Sequence, residues 1–199
     1  MKFSLSCRLE YAVQQPSTFL FHVGIDSTER VRALQEKLHF EPALDVESLQ
    51  THRGRVHRVS APIGDLTVCY TAAGEHEPII EAAAGINEVE VTQWPAHVLE
   101  YVYPSRYCES DLFGETANEI FGQMDRGYGR VVKICRWIHD RLTYESGSSG
   151  STTSAWQTLQ EGRGVCRDYA HVGIAMCRAL NIPARFISAY APGLQPPDF

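Results

Sequence analysis

Over the first hundred residues apolar and polar side chains alternate with a period of two. Phe3, Leu5, Cys7, Leu9 and Tyr11 fall on one side of the chain, and Phe19, Phe21, Val23 and Ile25 repeat the pattern. Successive side chains of an extended chain point to opposite faces, so these runs predict half-buried strands. RVHRVS and LTVCYT read as two further strands, joined through Ile63-Gly64-Asp65-Leu66, whose glycine-first dipeptide suits a tight hairpin turn. Residues 29–38 read as a short helix, and HVLEYVY as a last strand that stops at Pro104.

From Ser105 the period lengthens toward 3.6. Phe113, Ala117, Ile120, Phe121 and Met124 share one helical face, and Val131, Ile134, Cys135, Ile138 and Leu142 another. Ser154-Ala-Trp-Gln157 has the spacing of a capping box that opens a third helix, which Gly162 can close in a left-handed conformation. In a fourth helix Val165, Tyr169, Val172, Met176 and Leu180 repeat at four, three, four and four. Asn181 can take positive φ as its C-terminal cap, and Pro183 prevents continuation. ARFISAY then reads as a strand, and the sequence ends in PGLQPPDF. The expected organisation is α+β, with a β-rich, sandwich-like domain over 1–103 and an α+β domain over 104–199.

Composition narrows the function. In 199 residues, 44% apolar, there is enough material for packed cores without covalent staples. Lys and Arg number 18 against 24 Asp and Glu, a net charge of −6, so neither nucleic acid nor an anionic membrane is an expected partner. Arg53, Arg55 and Arg58 make one local basic cluster, best read as a solvated strand face. The six cysteines, at 7, 69, 108, 135, 166 and 177, form no C-x-x-C pair and no framework spacing, and read as reduced thiols. Arg8 and Glu10 interrupt the N-terminal stretch before a leader's apolar region could form, and no later apolar run approaches ~18 residues. A cytoplasmic, soluble protein is the expectation.

The chemistry concentrates in GRGVCRDYAHVG, residues 162–173. Cys166 falls in the first turn of the fourth helix, where unpaired N–H groups and the positive end of the helix dipole favour an anion. Such placement lowers a thiol's pKa, and the thiolate is the nucleophile. Gly162 and Gly164 leave room for a substrate carbonyl near the Cys166 N–H, which could serve as an oxyanion donor. Position alone also allows a small buried thiol at a helix start. A metal site from Cys166, His171 and Cys177 fares poorly, because offsets of five and eleven along one helix do not converge on an ion. No metal or other cofactor is therefore expected.

The ordered runs T153-S154-A155, G164-V165-C166-R167-D168-Y169-A170-H171 and R178-A179-L180-N181-I182-P183-A184-R185-F186-I187-S188-A189-Y190 resemble the core of bacterial transglutaminase-like proteins, a branch of the papain-like cysteine acyl-transfer superfamily. The resemblance covers about residues 105–199, and the strand-rich part before it is similar to the N-terminal domain that often accompanies this core. Asn181 and Ala189 stand where glycine is frequent. The resemblance implies catalysis by Cys166 on a protein or peptide amide through a thioester, as hydrolase or acyltransferase. A His and then an Asp on following strands would complete the triad. That His typically lies in a segment similar to D-F-H-A-W, whereas this sequence reads P-D-F and stops. The base is thus expected beyond Phe199, the core truncated to its N-terminal part, and the 199-residue chain inactive. An uncovered sheet edge would then invite a homodimer.

Within the chain, His171 lies about 140° around the helix from Cys166 and is read as a packing or hydrogen-bonding residue. His139 could approach the thiol only through a favourable crossing of two helices. The resemblance suggests that Tyr144 lines the acyl site, where its hydroxyl would donate to an oxyanion; the alternative is a tyrosine that caps the core. Asp168 is read as a structural cap, and Trp137 and Trp156 as packing residues. The competing function is a binding or scaffold module that keeps the fold and has lost the chemistry.

Overall fold

The computed structural model describes residues 1–26, 28–51 and 54–191; Arg53 and the closing PGLQPPDF lie outside the described residues. The alternating segments form β1 (Lys2–Val13), β2 (Ser17–Phe21), β3 (Val31–Glu41), β4 (Val46–Thr51), β5 (Gly54–Ala61) and β6 (Gly64–His76). They pair antiparallel in two three-stranded sheets, ordered β1-β6-β3 and β2-β5-β4. The inner faces carry Leu66, Val68, Tyr70 and Ala72 from β6 and Val59 and Ala61 from β5, all buried. Phe21 of one sheet meets Phe40 of the other at 5.7 Å between ring centres, so the two sheets share one apolar layer. A polar lock closes it: Arg55 on β5 donates two hydrogen bonds to Glu36 on β3, at 2.5 and 2.6 Å, and the Tyr70 hydroxyl donates to the same carboxylate at 2.7 Å.

Three expectations for this part of the chain need correction. The run at 29–38 is strand β3, not a helix. A bulge between Arg32 and Gln35, with Ala33 at φ 51°, breaks the alternation and leaves Val31, Leu34 and Leu38 at spacings that mimic a helix. The Ile63–Leu66 turn makes no hairpin, because β5 pairs with β2 and β4 while β6 pairs with β1 and β3; the turn carries the chain from one sheet to the other. HVLEYVY begins within a 3-10 helix, Ala96–Tyr101, that follows Pro95. Among the described residues its alternation has no neighbouring strand to satisfy it.

By contacts the chain divides into two units, Met1–Ile80 and Glu81–Phe199. The second contains α1 (Gly114–Phe121), α2 (Tyr128–Arg141), α3 (Ala155–Glu161) and α4 (Cys166–Ala179), with two short strands, β7 (Thr143–Tyr144) and β8 (Arg163–Gly164), paired in parallel. Phe113, Ala117, Phe121, Ile134, Ile138, Ala155, Val172, Ala175 and Met176 form its core around α4. The predicted caps are present: Ser154 Oγ accepts the Gln157 N–H, Gly162 is left-handed at φ 69°, and Asn181 takes φ 58°. Segment 86–88 is fastened to the start of α2, where Ile86 O accepts the Tyr128 N–H and Glu88 forms a two-pronged ion pair with buried Arg130.

After α4 the expected strand ARFISAY has no regular ladder among the described residues. Ala184 N–H donates to Tyr101 O, and the Arg178 guanidinium grips the carbonyls of Ala184 and Tyr103. One backbone bond does not make a sheet. Among the described residues no helix is long and apolar enough to cross a membrane.

Two stability measurements follow. Arg55 is the main cause that holds the Glu36 carboxyl below its ordinary value, so the lock contributes above about pH 4.5 and is lost as pH falls through the lowered value. In chemical denaturation the stability gap between wild type and Glu36→Gln should therefore shrink as pH is taken from about 6 to about 3. In the second unit Ile134 is fully buried, and Ile134→Ala should cost about 2–5 kcal/mol in the same assay.

Candidate active site

The site is set by how the chain passes from α3 into α4. Gly162 ends α3, and its carbonyl accepts the Thr143 N–H at 2.8 Å; two residues on, Gly164 O accepts the Glu145 N–H at 3.1 Å. These bonds hold β8 beside β7 with Tyr144 opposite Gly164. Val165 then adopts extended angles as N-cap, and Cys166 is the first residue of α4. Its side chain is exposed, which removes the reading of a small buried thiol.

Asp168, fully buried at the third position of the helix, fixes this start. Its Oδ2 accepts the Val165 N–H at 2.9 Å. Valine has no side-chain acceptor, so this is the returning half of a capping box, and the N-cap is held from the helix side alone. The other oxygen, Oδ1, accepts from Arg167 Nε and a terminal nitrogen at 3.4 and 3.2 Å. The same guanidinium donates to Gly150 O at 2.8 Å and Ser149 Oγ at 3.2 Å, tying the serine-glycine loop to the helix start. Gly164 accommodates the buried carboxylate: a Cβ there would lie 2.8 Å from Asp168 Cβ and 3.1 Å from its Oδ2.

The other candidate residues separate clearly. Tyr144 lies on β7 and is 56% exposed, so it does not cap the core. His171 is buried, stacked on Tyr107 at 5.4 Å and tilted against Phe186 at 5.6 Å. Burial above all, with Arg167 adding, lowers its pKa and keeps the ring neutral. Tyr107 in turn donates its hydroxyl to Ser151 O and accepts the Ala155 N–H on its carbonyl. His139 is exposed near the end of α2, beside Asp140 at 3.2 Å. Trp137 and Trp156 pack edge-on against Phe121 and Phe113.

Burial also sorts the thiols of this unit. Cys177 lies in the core with its pKa pushed up to about 12, and burial raises Cys108 as well. Cys135 and Cys166 are exposed, and of the two Cys166 stands at a helix N-terminus. The grip of Arg167 on the loop and the nesting of Asp168 against Gly164 were not read from sequence; an acidic residue three places after the N-cap was the available signal.

A thiol at a helix start, braced by strands and surrounded by packed helices after a sheet-rich unit, defines an α+β protein of the papain-like class. Residues 114–197 match the transglutaminase-like superfamily, and residues 1–97 match the bacterial transglutaminase N-terminal domain. The chain belongs to the transglutaminase-like superfamily. A crystal structure from Cytophaga hutchinsonii, described as a "putative cysteine protease", superposes with a TM-score of 0.91 at 38% identity, covering 100% of this chain and 70% of that one. An uncharacterized protein of Mycobacterium leprae is 26% identical over 132 residues, 65% of this chain and 47% of its own length. One of Mycobacterium tuberculosis is 37% identical over 71 residues, 34% of this chain and 23% of that protein. The chain thus spans about half or less of the curated relatives it matches.

The nesting of Asp168 yields a direct test. Gly164 does not need positive φ, so the cost of Gly164→Ala is one of space against Asp168 and Thr158. Urea denaturation should show a loss of about 1–3 kcal/mol.

Proposed function

We propose that Cys166 is the nucleophile of an enzyme that cleaves amide bonds in proteins or peptides through a thioester. The observation that carries this reading is the exposed thiol on the first turn of α4, where the helix N–H groups favour a thiolate. The sulfur attacks the amide carbon, and the carbonyl oxygen gains negative charge. The Cys166 N–H is one donor for that oxyanion, and the Tyr144 hydroxyl, carried on the strand beside Gly164, is a second. Collapse of the intermediate expels the amine, which takes a proton from the conjugate acid of the base. Water or another amine then attacks the thioester and regenerates the thiol.

The base and its orienting carboxylate are assigned to a His and an Asp beyond Phe199. His171 is packed against the rings of Tyr107 and Phe186, and His139 is exposed in the last turn of α2 beside Asp140, which supports a base from elsewhere. On this reading the 199-residue chain does not turn substrate over by itself.

The test is amide turnover by a chain that continues past Phe199. Cys166→Ala should reduce it to background, and Tyr144→Phe should lower it by about 10²-fold. Undiminished turnover in the Cys166 variant sinks the enzyme reading and favours a scaffold module; undiminished turnover in the Tyr144 variant removes only the second oxyanion donor.

A further inference from the structure

A full carboxylate lies two residues from the proposed nucleophile, and that placement needs explaining. Asp168 is entirely buried, and like charge beside a thiolate raises the thiol's pKa. A neutral cap would hold the Val165 N–H without this penalty. Arg167 supplies the difference: its guanidinium meets Asp168 Oδ1 and remains partly exposed between the carboxylate and the 149–150 loop. We propose that Arg167 and Asp168 act as a positioning pair for Cys166, Asp168 fixing the backbone from which the thiol projects and Arg167 cancelling the carboxylate's charge so that the thiolate is not opposed.

Three observations support the pair. The Val165 N–H, immediately before Cys166, ends on Asp168 Oδ2, so the backbone is held next to the thiol. The missing side chain of Gly164 gives the carboxylate its place, so the position is sterically determined. Arg167 also grips Gly150 O and Ser149 Oγ, which joins the loop beside the site to the same ion pair. Other charged or titratable groups on the segments around this turn include Tyr144 and Arg163 on the strand pair, Glu145 just after β7, Glu161 on α3, Tyr107 and Glu109 before α1, and Tyr169 and His171 on α4. Arg163 pairs with Glu145 at 3.1 Å and reaches Glu161 at 4.0 Å, while Glu109 accepts the Trp156 N–H. Among the described residues, Arg167 is the cation paired with the Asp168 carboxylate.

The proposal rests on Cys166 as nucleophile, and its test uses the 199-residue chain: iodoacetamide labelling of Cys166 followed by peptide mass spectrometry between about pH 5 and 10. Arg167→Gln leaves a bare buried carboxylate and should raise the labelling midpoint by about one pH unit, slowing labelling at neutral pH roughly tenfold. Asp168→Asn keeps an acceptor for the Val165 N–H, frees the guanidinium and should lower the midpoint. Arg167→Lys should restore most of the wild-type profile. Where Arg167→Gln fails to fold, judged by amide circular dichroism, the Lys variant and Asp168→Asn carry the test. Shifts in one common direction, or none in folded variants, overturn the pair, since simple loosening of the helix start would move both toward an ordinary thiol. Failure of the nucleophile reading shows differently: a longer chain whose turnover survives Cys166→Ala.

Discussion

The second unit is organised around a carboxylate that has no access to water. Burying Asp168 would be prohibitive unless each oxygen were met, and the two partners that meet it come from different places. One is the backbone N–H at the N-cap of α4, the other a guanidinium that also holds a loop. The carboxylate therefore acts as a joint, with the end of β8, the start of α4 and the serine-glycine loop all meeting on it. Gly164 follows from the same constraint, because any larger residue would occupy the space that the carboxylate fills. The exposed thiol is a consequence: Cys166 stands between a residue whose N–H is fixed and one whose side chain is fixed.

Ion pairs join separate elements in both units. In the first, Glu36 is shared by Arg55 and Tyr70 across two sheets, and Tyr70 also accepts the Ile25 N–H, so a network ties the sheets at one end of their apolar layer. In the second, Arg130 is buried against Glu88 and fastens an otherwise irregular segment to α2. The apolar side chains give the cohesion, and the pairs fix which pieces meet.

How much of this was legible follows from the range of each interaction. Caps and helix faces are local, so Ser154, Gly162, Asn181 and the period-four face of α4 could be read directly. The thiol's position at a helix start was equally local. Sheet pairing is not local, and there the pattern misled: alternation in HVLEYVY and ARFISAY signals a strand only when a partner strand lies alongside, and the chain offers neither a ladder among the described residues. The bulge in β3 erased its own signature by shifting the phase at Ala33. The Arg167 contacts at 149–150 span a gap in sequence that no periodicity reports.

The physics of the helix start also limits what it can do alone. A helix N-terminus stabilises an anion by about 0.3–1 kcal/mol when exposed, which is less than one pKa unit. A thiol ordinarily near 8.5 would remain mostly protonated at neutral pH on that contribution alone. Cancelling the Asp168 charge removes an obstacle but adds no net attraction. A reactive thiolate at neutral pH therefore requires a further cation in contact with the sulfur, one that can also hand a proton to the leaving amine; an imidazolium meets both requirements, whereas a guanidinium meets only the first. Arg167, already engaged with Asp168 and the loop, cannot take that role. The chemistry thus calls for a histidine with an open path to Cys166, which the packed, neutral ring of His171 does not offer.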